Sequence, residues 1–362
     1  MTAEPVKLGD VADMLSGFAF KSAEFLDHSE EGVFLVRGDN VQQGFIRWGE
    51  KAKKWRSDAY DDLSRYHLQK DDVILAMDRP IVGGGLKLAW IKDQDLPSLL
   101  VQRVTRIRGI NDKARTNFLR YVLSTPDFLA HIDRITTGAN IPHISGKDIA
   151  SFTFQLPDLD VQDRIVDFIA AYDDLIENNQ RRIALLEESA RLLYREWFLN
   201  LRFPGHDSGP AKSELLSGWV SGYASDFIQV QSGGTPNTKN DRFWNGDIPF
   251  FTPKDCSGTV YVLATEKMLS EDGLASCNSR LFPKETIFIT ARGTVGKLAL
   301  AQRPMAMNQS CYALVPKDDM NNLFLFLALE ERIAHLRAMA SGGVFDAIVV
   351  DTFKKLPFSR VC

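Results

Sequence analysis

The sequence contains little cysteine and no pattern typical of a structural metal site. Its four cysteines lie at positions 256, 277, 311 and 362, which are too few for a disulfide framework and match no zinc spacing. The six histidines show no metal-ligand spacing either. No apolar run approaches the length that crosses a bilayer, and the first residues lack the apolar core of a signal peptide. We therefore expect a cytoplasmic protein with no membrane partner.

Catalytic and nucleotide-binding motifs are also lacking. Residues 291–298 are similar to a phosphate-binding loop, but Ala291 replaces the first glycine and Leu298 stands where Ser or Thr would hold magnesium. No Gly-x-Gly-x-x-Gly follows a predicted strand, and no Gly-x-Ser-x-Gly occurs. Adjacent carboxylates such as Asp71 and Asp72 are typical of turns. The sequence therefore predicts a chain without catalytic activity of its own.

Neither sign of charge dominates the segments where binding is expected. The net charge is −4. Residues 157–203 alone carry ten acidic and six basic side chains, so the two flanking segments together are balanced. The balance excludes a uniformly basic surface of the histone type. If these segments bind nucleic acid, they must do so through local patches and loops.

The remainder of the chain is organised around residues 159–201, which contain no glycine and no proline. Pro157 precedes this stretch and Pro204-Gly205 follows it, which are typical start and stop signals for a helix. Acidic residues occupy the first turns, as the helix dipole favours. We predict a single helix of roughly 60 Å at 1.5 Å per residue, several times the length of an ordinary globular helix.

Apolar residues of this predicted helix recur with gaps of three and four, which is a heptad seam. Asn179 lies on the seam, where a single Asn fixes register and partner at a cost in stability. The alternative is a long surface helix on one globular core, which the length disfavours. We expect a partner helix to contact the face formed by Ile176, Asn179, Ile183, Leu186, Leu193 and Trp197.

The segments on either side of the helix repeat each other. Ser16-Gly17 and Ser232-Gly233 each follow a short apolar stretch, and residues 68–76 match residues 282–290 before a Gly-rich loop. Six such features recur in the same order, which predicts an α+β fold with two repeated domains of mixed β-sheet and short helices. The predicted divisions are a first domain at 1–156, the helix at 157–203, a linker at 204–214, a second domain at 215–358 and a terminal segment at 359–362.

Polar loops between the predicted strands carry side chains that are suited to recognition of a ligand. Residues 232–240 form a small loop rich in hydrogen-bond donors, which suits a close approach to a phosphate backbone. Arg79 and Arg292 occupy matching positions after the repeated strand, where arginine can pair with guanine or phosphate. For each single residue the alternative, a surface loop without function, stays open. The candidate DNA-binding residues are Arg79, Asn140, His143, Thr235, Asn237, Lys239, Lys254, Arg292, Lys297 and Gln309.

This combination resembles the specificity subunit, HsdS, of type I restriction-modification systems. The resemblance covers nearly the whole chain. Residues 232–236, 292–296 and 308–309 look like the target recognition domains of that family, although each loop motif is weak by itself. The helix carries the most specific likeness, to the central conserved region of the family, through Gln162, Ile165, Asp174, Ile176, Asn179, Leu186 and Trp197-Phe198.

The resemblance implies a non-catalytic subunit in which each target recognition domain reads one half of a bipartite double-stranded DNA target. The helix would space the two domains and dock two modification subunits, which bind S-adenosylmethionine and methylate adenine. A restriction subunit would add cleavage driven by ATP and Mg. The resemblance implies no cofactor bound by this chain itself.

One departure from the family concerns the partner of the helix. A second conserved helix follows the second recognition domain in the family, whereas this sequence ends at residue 362, just past Leu356-Pro357. We therefore expect the partner helix to come from a modification subunit or from a second copy of this chain. Two other function classes stay open: a coiled-coil scaffold whose flanking domains bind protein, and a self-contained nuclease or methyltransferase.

Overall fold

The structure, a computed structural model, describes residues 4–136, 142–204, 218–256, 258–340 and 347–361. The chain forms two compact units, Met1–Asn179 and Gln180–Cys362, so the division falls within the long helix. Among the described residues, no helix is both long enough and apolar enough to cross a bilayer.

The main sheet of the first unit has four antiparallel strands in the order β2-β11-β6-β9. A second sheet has the order β10-β4-β5-β3, in which β10 and β4 are parallel. Strands β1 and β12 form a separate antiparallel pair, and β7 and β8 form a short hairpin. In chain order the elements are β1 (Glu4–Lys7), α1 (Leu8–Val11), β2 (Ala12–Ser16), β3 (Leu26–Asp27), β4 (Val33–Val36), β5 (Lys53–Trp55), β6 (Val73–Ala76), β7 (Ile81–Val82), β8 (Gly85–Leu86), β9 (Leu88–Trp90), β10 (Ser98–Leu100), β11 (Val104–Gly109), α2 (Thr116–Val122), α3 (Pro126–Thr136), α4 (Gly146–Ala150) and β12 (Thr153–Leu156).

Strand β6 lies at the centre of the first unit and contributes to two hydrophobic clusters, one on each of its faces. All four of its residues are buried and apolar, so both of its faces need covering. Successive side chains of a strand point to opposite faces. Val73 and Leu75 accordingly pack in the cluster that contains Phe128 of α3, whereas Ile74 packs with residues of the second sheet such as Val36.

The second unit repeats this plan. Its main sheet has the order β14-β21-β18-β19, with β16 added at the edge, and β15 and β20 form the parallel pair of its second sheet. Strands β13 and β22 pair antiparallel, as β1 and β12 do. The elements are β13 (Trp219–Tyr223), α6 (Ala224–Phe227), β14 (Ile228–Ser232), β15 (Trp244–Phe251), β16 (Tyr261–Val262), β17 (Lys267–Leu269), α7 (Glu271–Ala275), β18 (Ile287–Thr290), β19 (Leu298–Ala301), β20 (Ala306–Met307), β21 (Cys311–Pro316), α8 (Asn322–Glu330), α9 (Ile333–Ala340), α10 (Val350–Phe353) and β22 (Pro357–Val361).

The long helix, α5 (Leu159–Tyr194), is continued by one π-helical turn at Arg195–Leu199. The predicted helix, which ended at residue 201, is therefore slightly longer than the observed one, because the last turn is π-helical and ends at Leu199. The predicted α+β class, with two repeated domains and one long helix, is confirmed.

Candidate nucleic-acid interface

Backbone hydrogen bonds establish which residues of the two units correspond. In the first unit, Ala76 N donates to Lys87 O at 3.0 Å. In the second, Thr290 N donates to Lys297 O at 2.9 Å. Both units then form the same bridge to a later segment, from Ile144 N to Met77 O at 2.9 Å and from Ile348 N to Ala291 O at 3.0 Å.

This register corrects the predicted match between Arg79 and Arg292. The residue that follows the bridge is Asp78 in the first unit and Arg292 in the second, so these two correspond. Arg79 corresponds to Gly293, and both adopt a positive φ, at 45° and 78°. The predicted match was wrong by one residue, because the segment from Ala76 to Lys87 is longer than the segment from Thr290 to Lys297 and the sequence alone does not show where the extra residues lie.

Two glycines bring further loops to the same end of each main sheet. A Cβ on Gly17 would lie 2.3 Å from the backbone of Val101, and a Cβ on Gly233 would lie 2.3 Å from Asn308 O. Only glycine allows these backbones to approach so closely. Because β11 is antiparallel to β2 and β6, its start lies beside their ends. We call the resulting loops the strand-end surface: residues 16–18, 37–40, 77–87 and 101–103 in the first unit, and 232–240, 252–255, 291–297 and 308–310 in the second.

In the first unit the strand-end surface carries a charged cluster around Asp78. Its carboxylate accepts a hydrogen bond from Arg103 Nη1 at 2.9 Å and contacts His143 Nδ1 at 2.5 Å. Burial raises the pKa of Asp78, but the hydrogen bonds from His143 and Arg103 outweigh it and the net shift is downward. The imidazole of the candidate His143 is therefore engaged with the Asp78 carboxylate. Arg79 is exposed and forms no ion pair with the described part of the chain. The candidate Asn140 lies outside the described residues.

In the second unit the surface brings Thr235 and Gln309 together, because Thr235 Oγ1 donates a hydrogen bond to Gln309 Oε1. Asn237 stabilises its own loop, since its Oδ1 accepts from Lys239 N at 3.0 Å. Lys254 pairs with Glu266 at 3.6 Å. Both partners are mostly exposed, so this pair contributes little to stability and is readily exchanged for another anion.

Three cations of the second unit are more available. Lys239, Arg292 and Lys297 are exposed, and none of them forms an ion pair with residues that the structure describes. Arg337 fixes the loop between Arg292 and Lys297, because its Nε donates a hydrogen bond to Val295 O at 3.1 Å. The arrangement presents cations on a fixed loop, which suits contact with an anionic backbone.

Sequence reasoning missed Lys87, the counterpart of Lys297. Lys87 is half-buried on the strand-end surface of the first unit. A signal was present, because Lys87-Leu88-Ala89 and Lys297-Leu298-Ala299 share the same three residues after the Gly-rich loop. The different loop lengths hid this match.

The first half of α5 is fixed to the first unit by polar contacts. The side chain of Gln162 is wholly buried; its Nε2 donates to Lys113 O at 3.0 Å and to Pro157 O at 2.8 Å. Its Oε1 accepts from Arg115 N at 2.9 Å. Arg115 also binds Asp163 with two hydrogen bonds, at 2.9 and 3.1 Å. Every polar atom of the buried amide therefore has a partner, which fixes the start of the helix.

The second half of α5 is fixed to the second unit mainly by Tyr194 and two arginines. Tyr194 is buried, and its ring lies 5.6 Å from that of Phe324. Arg191 binds the carboxylate of Glu330 at 2.9 and 3.2 Å. Arg195 Nε donates one hydrogen bond, at 2.5 Å, to the carboxylate of Glu331, the residue that directly follows α8. This half thus uses a side of the helix other than the predicted seam.

The predicted seam itself is uncovered within the described chain. Asn179 is exposed, whereas Trp197 is half-buried and its ring lies 6.5 Å from that of Phe198. The apolar seam side chains remain exposed by about half or more: Ile176 by 55%, Ile183 by 53%, Leu186 by 68% and Leu193 by 48%. Four large apolar side chains therefore lie exposed along one face of the helix.

The described residues contain no group of three or more His, Cys, Asp or Glu side chains placed to hold a metal ion. The two surfaces carry cations and hydrogen-bonding groups at the strand ends, and exposed apolar side chains along the helix.

The chain is similar to known proteins of one family over most of its length. A family model described as the type I restriction modification DNA specificity domain matches residues 2–188 and 217–359. The MjaVIII specificity subunit of Methanocaldococcus jannaschii is 32% identical over 188 residues, covering 52% of this chain and 43% of its own. The HindI specificity subunit of Haemophilus influenzae is 24% identical over 395 residues, covering 90% of this chain and 83% of its own.

The same fold occurs in the crystal structure of the S subunit of a type I restriction-modification system from M. genitalium. That chain superposes with a TM-score of 0.59 at 13% identity, covering 100% of this chain and 88% of its own. The EcoAI specificity subunit of Escherichia coli is 34% identical over 171 residues, which are 47% of this chain and 28% of its own. This chain therefore spans less than half of the lengths of the MjaVIII and EcoAI subunits that it matches.

Proposed function

Because the chain belongs to the type I restriction-modification DNA specificity family, we propose that it is the non-catalytic DNA-reading subunit of such a complex. The observation that carries the proposal is the strand-end surface, which occurs once in each unit at the same end of the same sheet. Each copy exposes cations on loops whose backbone is fixed by hydrogen bonds. Loops on a rigid scaffold are suited to specific recognition.

Each unit reads one half of a bipartite double-stranded DNA target. We assign residues 1–156 and 215–358 to two target recognition domains, 157–203 to the central helix, 204–214 to the linker and 359–362 to the terminal segment. The exposed candidates Arg79, Lys239, Arg292 and Lys297 contact phosphates or base edges, because Arg and Lys are the side chains that bind both. Sequence specificity then arises from loop residues that differ between the two domains.

The long helix supplies the interface for partner proteins. Its exposed seam supports docking of two modification subunits, or pairing with the same helix of a second copy. In this scheme S-adenosylmethionine is bound by the modification subunits, and ATP and Mg by a restriction subunit that joins the complex. This chain itself contributes DNA binding and spacing, and it works in the cytoplasm with the DNA that the complex surveys.

The first test is methylation mapping of the host genome with and without this gene. We expect adenine methylation at one bipartite motif that disappears when the gene is removed. A second measurement is the affinity of the chain, assembled with its modification subunit, for DNA that contains the motif and for scrambled DNA. Assembly without any preference for the motif would contradict the proposal and would favour a coiled-coil scaffold. Methylation or cleavage by the purified chain alone would favour a self-contained enzyme.

A further inference from the structure

Lys87 is a cation that lies among charged groups, and its ammonium has no hydrogen-bond partner in the part of the chain that the structure describes. Its ammonium lies over Gly38, where an added Cβ would be 3.8 Å from Nζ. Burial lowers the pKa of Lys87, and the carboxylates of Asp39 and Asp78 oppose that effect. The ammonium makes no hydrogen bond or ion pair with any described residue. An ammonium has three donors and no acceptor, so a half-buried one without a partner is suited to an anionic ligand.

The lysine position is shared by both units. Lys87 and Lys297 each accept the backbone hydrogen bond that closes the main sheet after its central strand. The surrounding loops differ in length and composition. A shared charge at one point of otherwise different loops fits a contact that both units need, and the sugar-phosphate backbone is the part of DNA that every target shares.

The positions that flank the lysine carry opposite charges in the two units. Asp78 corresponds to Arg292, as established above. Asp39 corresponds to Lys254, because the turns that contain them close with the same hydrogen bond. These bonds run from Arg37 N to Asn40 Oδ1 at 3.1 Å and from Thr252 N to Asp255 Oδ2 at 2.7 Å.

Side chains of opposite charge at equivalent positions are suited to base groups of opposite hydrogen-bonding polarity. A carboxylate accepts a hydrogen bond from an amino group, such as N4 of cytosine, whereas Arg and Lys donate to O6 and N7 of guanine. Asp39 is well placed for this, since its side chain is 80% exposed and holds a single surface ion pair, with Arg37 at 3.0 Å. Asp78 is less exposed, at 31%, and already accepts two contacts. Asp39 is therefore the stronger candidate for base reading in the first unit.

We propose that Lys87 and Lys297 make the same sequence-independent phosphate contact in the two units, while the flanking positions read bases of opposite hydrogen-bonding polarity. Asp39 then selects a base pair through an amino group, and Lys254 with Arg292 selects guanine. This inference rests on the proposed DNA-reading function and assigns the roles within it.

The lysine contact is tested by Lys87→Ala and Lys297→Ala in the complex with the modification subunit. Each variant should bind motif and scrambled DNA more weakly and lower the slope of log affinity against log salt by about one unit. The ratio of the DNA affinity of the unaltered chain to that of the variant should accordingly fall by about 3.5-fold between 50 and 200 mM salt. Lys87→Arg should retain the slope, because the positive charge is kept.

The chain offers a matched control for these variants. Lys70 and Lys284 also correspond, since the residues after them donate equivalent hydrogen bonds, from Asp71 N to Ile91 O at 2.8 Å and from Glu285 N to Ala301 O at 2.7 Å. They precede the central strands, at the end opposite to the strand-end surface. Lys70→Ala and Lys284→Ala should leave the salt slope unchanged.

The reading positions are tested by selection of bound sequences from a randomised target. Asp39→Ala should relax one base pair in one half of the motif, with a loss of discrimination between about 5-fold and about 150-fold. Lys254→Ala or Arg292→Ala should relax a guanine in the other half only. Relaxation of the same type of base in both halves, or none, would overturn this part.

The outcomes separate this inference from the proposed function. If the unaltered complex ignores the motif, both are wrong. If the unaltered complex binds the motif while Lys87→Ala and Lys297→Ala keep its salt slope, the phosphate contact alone is wrong. A variant that unfolds is recognised by loss of assembly. Lys87→Met, which removes the charge but keeps a side chain of similar length, then decides the case, and an unchanged salt slope in that variant contradicts the phosphate contact.

Discussion

The sharpest prediction concerns Leu186, on the uncovered seam of α5. Full burial of a leucine side chain contributes about 1.5–3 kcal/mol. Leu186 is 68% exposed in this chain, so a partner that covers it gains about 1–2 kcal/mol from that side chain. Leu186→Gln removes this gain. The dissociation constant of the complex with the modification subunit should therefore rise by about 5- to 30-fold.

The neighbouring Leu185 provides the control. It is 60% exposed, almost as much as Leu186, but it lies off the seam. Leu185→Gln should leave the dissociation constant nearly unchanged, and neither variant should lower the melting temperature of the chain alone. Calorimetry measures the affinity, and light scattering measures the mass of the chain with and without the modification subunit. Equal effects of the two variants would refute the seam, and a monodisperse monomer that does not bind the modification subunit would refute the helix interface.

Three further predictions concern the stability of the chain. Gln162→Leu should lower the free energy of unfolding by about 2 kcal/mol or more in thermal or denaturant melts, because it removes the partner of three partly buried backbone groups, at about 1 kcal/mol or more each. An unchanged melt would show that the amide is dispensable. Gly233→Ala should cost at least about 1 kcal/mol through overlap with Asn308 O, whereas Gly146→Ala, which meets nothing within 4 Å, should be nearly neutral. The pKa of Asp78 in the folded chain is depressed, so the stabilisation it provides is present above the ordinary carboxyl pKa, about 4, and is lost as pH falls through the folded value. The stability difference between the unaltered chain and Asp78→Asn should therefore hold at pH 7 and shrink in acid, and a difference independent of pH would contradict this assignment.

The main helices and strands could be predicted from the sequence because their signals are local. The absence of glycine and proline together with the three-four apolar spacing predicts a helix whatever the remainder of the chain does. Residues 73–76 and 287–290 are short, wholly apolar runs, and both are buried central strands. The order of these signals was sufficient to predict the repeat and the resemblance to the specificity family.

The roles of individual side chains, in contrast, depend on contacts between residues that are far apart in the sequence. Asp78 corresponds to Arg292 because each stands beside a later segment, at His143 and Ala347, and that register depends on hydrogen bonds between residues far apart in sequence. Tyr194, rather than a seam residue, anchors the end of the helix because α8 packs on that side. Periodicity tells which helix residues share a face, but it does not tell which face a folded domain covers; that choice depends on long-range packing, which no local pattern encodes.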